Sequence, residues 1–271
     1  MIAALRQHWP EYLMEAAGLG LFMVSAGVVT TLLEFPGSPL HAALPDPALR
    51  RALIGLGMGL TAVGLIYSPW GRQSGAHLNP AVTLTFLRLG KVEPWDAAFY
   101  VAAQFAGGVA GVALVAAALR GAFAGPPVRF VATTPGVGGS GVAFAAEALI
   151  SFGLIATVLW TGNHQRLSRW TGVFAGALIT IYIAVEAPFS GMSMNPARTF
   201  ASALPARLWT ALWVYFTAPV LGMLAAAELY RRVAGLRRVY CAKLNHRTAR
   251  RCIFCCNYAA LVAGGGEGEA R

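Results

Sequence analysis

SGAHLNPA (Ser74–Ala81) recurs 116 residues later as SGMSMNPA (Ser190–Ala197), and the predicted fold is built outward from this pair. Asn followed by Pro is a helix-start signal, because Asn accepts a backbone N–H as N-cap and Pro has no N–H to lose at the first helical position. The motifs predict helices over about 80–89 and 196–205. Ten residues span roughly 15 Å, about half of a 30 Å hydrocarbon core. Each helix can therefore enter a membrane without crossing it.

Composition indicates a membrane protein. Of the 271 residues, 57% are hydrophobic and 12% are charged, whereas about 25% are charged in ordinary soluble domains. Apolar segments continue to about residue 232, which predicts one membrane domain over residues 1–232. Residues 1–10 are interpreted as a short polar lead into the first span, and no cleaved signal is expected.

Six apolar segments are long enough to cross a bilayer. The predicted spans cover residues 12–33, 52–67, 97–119, 142–160, 172–185 and 208–230. The order span, span, half-helix, span occurs twice, in repeats over about 10–120 and 141–232. Three spans per repeat place the second copy upside down. The sequence therefore predicts an all-α membrane protein with six transmembrane helices plus two re-entrant half-helices in an inverted repeat.

The two half-helices should meet N-terminus to N-terminus near the middle of the membrane. Each Asn can use its side-chain oxygen as a cap and leave its NH₂ group for a solute. The positive ends of both helix dipoles point at the same centre and repel cations. This arrangement suits a pore for small neutral molecules. The predicted pore motif consists of Asn79, Pro80, Ala81, Asn195, Pro196 and Ala197.

Charge placement predicts the topology. With the N-terminus inside, the inner side carries fifteen Lys and Arg residues and the outer side six, which favours cytoplasmic N- and C-termini. Residues 231–271 contribute nine of these cations and two Glu to a net charge of +10. Because this basic tail follows a membrane span, it is interpreted as cytoplasmic-face charge, and no nucleic-acid partner is expected.

SGAHLNPAVTL (Ser74–Leu84) and SGMSMNPARTF (Ser190–Phe200) closely match the two signatures of the major intrinsic protein family. Over residues 10–232 the chain resembles aquaporins and aquaglyceroporins. The resemblance implies an aquaporin-like fold with a pore in each subunit of a homotetramer in the lipids of the plasma membrane. It further implies passive transport of water or small neutral solutes, with no cofactor for transport and no enzymatic step.

Arg198 stands three residues after Asn195, where the first repeat has Val82 after Asn79. A lone Arg at membrane depth is costly and normally marks a solute or ion pathway. The resemblance implies that Arg198 belongs to the outer selectivity filter, where the matching Arg donates hydrogen bonds to the solute and repels cations.

The other filter positions depart from the water-selective pattern of the family. Matching by position places Met58, Ile183 and Met192 around Arg198, and strict water channels typically carry His in place of Ile183. Thr199 follows Arg198 where glycerol channels commonly carry Asp. Water, glycerol and other small neutral solutes therefore all remain candidates.

Glu15 and Glu147 occupy matching places in the first span of each repeat. Buried carboxylates in a membrane need partners, and a relay or catalytic role is one possibility. The resemblance favours loop support, in which the carboxylates accept N–H bonds from the re-entrant backbone. His77 lies in the first motif, where lining the pore and bracing the loop are equally good interpretations.

The tail, residues 233–271, is basic and rich in cysteine and is expected to be cytoplasmic. Cys241, His246, Cys252 and Cys255 offer three thiolates and an imidazole, a set suited to tetrahedral zinc, with iron as a second candidate. Lipidation or redox sensing by these cysteines is the other possibility. The alternative function is a metal- or redox-responsive membrane protein acting through this tail. Residues 264–271 are expected to be disordered.

Overall fold

Each predicted span is a helix in the computed structural model, which describes residues 1–246 and 250–263. Within these ranges the chain forms helices and no strand. The α-helices in chain order are α1 (Ile2–Glu34), α2 (Pro39–Ala43), α3 (Pro47–Tyr67), α4 (Pro69–Ser74), α5 (Pro80–Arg88), α6 (Pro94–Leu119), α7 (Gly121–Ala124), α8 (Gly139–Gly162), α9 (Thr171–Val185), α10 (Ala187–Ser190), α11 (Pro196–Ala206), α12 (Leu212–Ala234) and α13 (Tyr258–Ala263).

Six helices in the described part of the chain are long and apolar enough to cross a membrane: α1, α3, α6, α8, α12, and α9 together with the 3₁₀ turn Ser168–Trp170 before it. The half-helices α5 and α11 have 9 and 11 residues, and each begins at the Pro of its motif. At 1.5 Å per residue, they span about 14 and 17 Å. The predicted order of spans and half-helices is confirmed.

Three helices begin four or more residues away from the prediction. Helix α1 begins at Ile2 and runs through Pro10, so the predicted polar lead is helical; Arg251 of the tail bonds to the next residue, Glu11, with Nη2–Oε2 2.6 Å. Helix α3 begins at Pro47 rather than at residue 52. Helix α12 begins at Leu212 rather than at residue 208. Arg207 and Ala211 both have a left-handed φ of 53°, which interrupts the helical path between α11 and α12.

Small residues let the long helices approach closely. A Cβ added to Gly107 or Gly111 on α6 would collide with the carbonyls of Ala16 and Gly20 on α1. In the second repeat, Gly222 on α12 packs in the same way against α8. Such contacts are favourable in a membrane, where helices associate mainly by close packing. The two repeats therefore each contain a tightly packed pair, α1 with α6 and α8 with α12.

The tail folds back over one face of the helical bundle. We call residues 239–246 and 250–257 the tail cap and name this face of the bundle the tail side. The N–H of Leu244 donates to the Gly75 carbonyl (3.1 Å), and the N–H of Cys255 donates to the Lys91 carbonyl (3.0 Å). Val239 is fully buried and joins the main core cluster. Within the predicted basic tail of residues 233–271, residues 247–249 and 264–271 lie outside the described residues, and these include the segment expected to be disordered.

Candidate functional site

A cavity of about 430 Å³ passes between the two half-helices. Its lining includes Arg51, near the start of α3, and Ile66, near the end of the same helix, so the cavity extends along most of α3. Asn79 and Asn195 line it at the meeting point of α5 and α11. The walls are mostly apolar.

The two Asn side chains cap their own helices and also join the two loops. Asn79 Oδ1 accepts from the Ala81 N–H at 2.8 Å, and Asn195 Oδ1 accepts from the N–H groups that open α11. Asn79 Nδ2 donates to the Met194 carbonyl (2.7 Å), and Asn195 Nδ2 donates to the Leu78 carbonyl (2.8 Å). The expectation that each whole NH₂ group is left for a solute is therefore wrong in part. One hydrogen of each amide holds the opposite loop, and the second stays available.

Glu15 organises the first re-entrant loop. Its Oε1 accepts from Ser74 Oγ (2.8 Å) and from the His77 N–H (3.1 Å), and its Oε2 accepts from the Leu78 N–H (2.6 Å). The carboxylate is fully buried. Its oxygens therefore satisfy backbone groups that an irregular segment would otherwise leave unpaired in the membrane.

Glu147 makes the matching contacts in the second loop. Its Oε1 accepts from Ser190 Oγ and from the Ser193 N–H, both at 2.7 Å, and its Oε2 accepts from the Met194 N–H at 2.7 Å. In each repeat a serine hydroxyl and two backbone N–H groups, in the same order along the chain, thus meet one carboxylate, and Gln104 Nε2 adds a fourth donor to Glu15 Oε2 (2.8 Å).

The backbone of both loops is left-handed at matching positions. Gly75 and Gly191, at φ 96° and 80°, begin the loops just after α4 and α10. Four residues that are not glycine also have positive φ: Ala76 (54°), Leu78 (49°), Met192 (50°) and Met194 (53°). Such conformations persist only where the surroundings fix them, and the bonds to Glu15 and Glu147 do so here.

A second symmetric pair was missed by the sequence reasoning. Tyr100 Oη donates to the Ser74 carbonyl (2.7 Å), and Tyr215 Oη donates to the Ser190 carbonyl (2.6 Å). Both tyrosines are fully buried. They are 115 residues apart in the sequence, one fewer than the offset of the motifs, so a search that allows a one-residue difference from that offset could have found them.

The four predicted filter residues line the same cavity. Met58 and Met192 are buried and Ile183 is half-buried. Arg198 Nη1 is buried and has no hydrogen-bond partner within the described part of the chain. The arrangement is an apolar wall with an unpaired guanidinium donor.

His77 both lines the cavity and holds the loop in place. Its Nε2 lies 2.9 Å from the Ala242 carbonyl, and its Nδ1 lies 3.1 Å from Thr83 Oγ1. The ring stacks between Phe86 and Phe254, with centroids 5.2 and 5.3 Å away. Through Ala242 and Phe254, the first pore loop is connected directly to the tail cap.

The tail brings four metal-ligating side chains together, but not the predicted four. The ligand atoms of Cys241, His246, Cys252 and Cys256 lie within 4.8 Å of one another. The prediction that Cys255 belongs to this set is wrong. The Cys255 N–H is bonded to Lys91, and its thiol donates to Glu93 Oε1 (3.3 Å) on the exposed side. The neighbouring residue Cys256 consequently faces the cluster.

The cluster favours thiolates at two of its positions. Hydrogen bonding with the Cys241 thiol lowers the pKa values of Cys252 and Cys256, although burial opposes both shifts. The same donation raises the pKa of Cys241. Thiolates are the form of cysteine that binds metals.

Comparison with known proteins agrees with these observations. Aquaporin NIP1-3 of Oryza sativa subsp. japonica is 40% identical over 177 residues, which are 65% of this chain and 59% of that protein. Aquaporin NIP2-3 of Zea mays is 33% identical over 216 residues, covering 78% of this chain and 69% of that protein. The match therefore spans about three fifths to two thirds of these relatives.

The aquaglyceroporin from Plasmodium falciparum has the same fold, with a TM-score of 0.70 over 86% of this chain and 99% of that chain at 20% sequence identity. The family described as "Major intrinsic protein" matches residues 4–230, nearly the whole helical bundle. The chain belongs to the major intrinsic protein family.

Proposed function

We propose that this chain is a passive channel for water and small uncharged solutes, with the central cavity as the pathway. The observation that carries the proposal is the buried Arg198 Nη1, a donor without a partner among the described residues, in a mostly apolar cavity that also receives both Asn side chains. A solute that leaves water can recover hydrogen bonds at these donors.

The same groups oppose the passage of cations. The N-terminal ends of α5 and α11 carry partial positive charge, and Arg198 adds a full one. Glu15 and Glu147 are engaged by the loops and do not replace the water around an ion. Because an unpaired ion in an apolar site is very unfavourable, we expect selection for neutral molecules.

The residues of the proposed filter favour the passage of solutes that are larger and less polar than water, in addition to water itself. Met58, Ile183 and Met192 offer apolar surface beside the Arg198 donor. Small polyols of the glycerol type combine a carbon backbone with hydroxyl groups and match such a wall. We therefore infer glycerol-like solutes among those that pass.

The assembly and its placement are proposals of the same kind. We infer a homotetramer in the lipids of the plasma membrane, with residues 1–232 as the channel domain and 233–271 as a tail. The distribution of Lys and Arg favours cytoplasmic N- and C-termini. Membership of the family favours a channel over the alternative of a metal- or redox-responsive membrane protein.

Stopped-flow swelling of liposomes containing the purified protein tests the proposal. Swelling in water, glycerol and urea gradients should exceed that of empty liposomes severalfold, while cation leakage stays at background. Arg198→Val should raise cation leakage, and Arg166→Val, which changes an exposed residue, should not. Swelling equal to that of empty liposomes for every solute, both with and without a metal chelator, would refute the channel.

A further inference from the structure

The tail cap contributes to the wall of the cavity at its tail-side end. Leu244 lines the cavity together with Ile66 and Val158, residues near the tail-side ends of α3 and α8. It is 8% exposed and is held there by the bond from its N–H to the Gly75 carbonyl at 3.1 Å. Phe254 adds a second contact by stacking on His77 of the pore loop. A side chain of the tail thus forms part of the wall of the solute pathway.

The cap has little regular structure to hold it in place. Residues 239–246 and 250–257 contain no helix or strand, so ordering them costs conformational entropy that few backbone bonds offset. Segments of this kind open locally unless something ties them down.

The metal-ligating residues bracket Leu244, which lines the cavity, and Phe254, which stacks on His77. Cys241 and His246 lie on either side of Leu244 in the sequence, and Cys252 and Cys256 lie on either side of Phe254. The ends of two short segments, 241–246 and 252–256, therefore meet in one cluster. A metal ion bound by all four residues would hold Leu244 and Phe254, which lie inside these segments, in place together.

The cluster has the composition of a zinc site and a spacing that small side-chain shifts would bring to zinc distances, since its four ligand atoms lie within 4.8 Å of one another. The Cys241 and Cys252 sulfurs are 3.5 Å apart, and Cys256 Sγ is 2.9 Å from His246 Nε2. Tetrahedral zinc, with Zn–S near 2.3 Å and Zn–N near 2.0 Å, places its ligand atoms about 3.5 to 3.8 Å apart. Zn²⁺ with three thiolates and a neutral imidazole carries a net charge of −1. Lys243, a buried cation that lines the same small cavity as Cys241 and His246, offsets it.

We propose that Cys241, His246, Cys252 and Cys256 bind one Zn²⁺, which fastens Leu244 and Phe254 over the tail-side end of the cavity and closes the channel. Closure rests on the proposed transport function, whereas metal binding does not. A disulfide between Cys241 and Cys252 would leave His246 and Cys256 unused, and forming it needs an oxidant. Zinc uses all four residues.

Elemental analysis of the full-length protein, purified after growth with added zinc, tests the site. About one zinc per chain is expected for the parent and for Cys255→Ser, because Cys255 faces Glu93 instead of the cluster. Cys256→Ser should lose most of the metal. A parent without stoichiometric zinc, with iron in its place, or with a Cys241–Cys252 disulfide in the peptide map would overturn the site.

Hydrogen exchange tests whether the metal fastens the cap, independently of transport. The amides of Tyr240, Leu244, Cys255 and Asn257 donate hydrogen bonds within the cap or to the bundle. At free zinc of about 100 times its dissociation constant, their protection should rise about 100-fold over the chelated protein. Equal exchange with and without zinc would contradict the fastening.

Liposome swelling then tests closure. A zinc chelator should raise the glycerol permeability of the parent severalfold, and Leu244→Ala should be permeable with or without zinc. If the chelator and Leu244→Ala both leave a measurable permeability unchanged, closure is refuted while the channel stands. If no form swells faster than empty liposomes, the channel itself is refuted.

Discussion

Glu15 and Glu147 are not among the described residues that line the cavity, but they hold in place the loops that do line it. Each is fully buried and accepts from two loop N–H groups and a serine hydroxyl. Their oxygens hold the left-handed backbone of the loops in place, so Arg198 is the charged group available to the solute in the proposed filter. At the scale of residues, the selectivity of the pore therefore depends on which charges are already paired.

Removal of this support should destabilise the protein. Glu147→Ala leaves three buried donors without an acceptor, and at about 1–3 kcal/mol each the free energy of unfolding should fall by about 3 kcal/mol or more. Thermal unfolding in detergent measures the change. Glu93→Ala, at an exposed carboxylate, should shift stability by less than about 0.5 kcal/mol. Equal losses in both variants would show that the loop bonds are not what stabilises the fold.

Several residues of the site could be predicted from the sequence, because their roles depend on neighbouring residues in the chain. The motif asparagines cap helices, and a cap depends on residues two or three positions away. The position of Cys256 in the metal-ligating cluster could not be predicted in this way. Its orientation depends on the bond between Cys255 and Lys91, which are 164 residues apart.

At the scale of elements, the two halves of the fold depend on the same device. The pairs α1 with α6 and α8 with α12 approach through glycine, and each pair holds the re-entrant loop of its repeat with one carboxylate and one tyrosine. The half-helices then meet through the two Asn amides. The order and the type of these elements can be predicted from the lengths of the apolar segments and from the two Asn-Pro pairs. The start of α12 cannot, because nothing distinctive in the sequence marks Arg207 and Ala211 as left-handed.

Close helix contact should be sensitive to a single methyl group. In Gly111→Ala the new Cβ collides with the Gly20 carbonyl of α1, so α1 and α6 must separate. Overpacking of this kind should lower the free energy of unfolding by about 1–3 kcal/mol. Gly64→Ala is the matched control, because nothing lies within 4 Å of its added Cβ, and Ala favours helix by up to about 1 kcal/mol. Unfolding titrations in mixed micelles should rank Gly111→Ala well below Gly64→Ala; the same stability for both would contradict the packing.

At the scale of the whole molecule, the tail joins the channel instead of trailing from it. His77 of the first pore loop contacts Ala242, which is 165 residues away in the sequence. The sequence indicates a cluster of cysteines there but not its location, because no local pattern records contacts over such distances. The inverted repeat, in contrast, is visible from the sequence since both copies keep the same motif.

The central claim is that solute crosses the membrane through the cavity between the two motifs, and paired Trp variants on α9 test it most directly. Ile183 lines the cavity, whereas Ile181, two residues away on the same helix, is 53% exposed. Glycerol and water permeabilities of liposomes containing equal amounts of each protein are the measurement. Ile183→Trp should lower both permeabilities severalfold because the indole fills the pathway, and Ile181→Trp should match the parent. Parent-like permeability in Ile183→Trp would contradict the account.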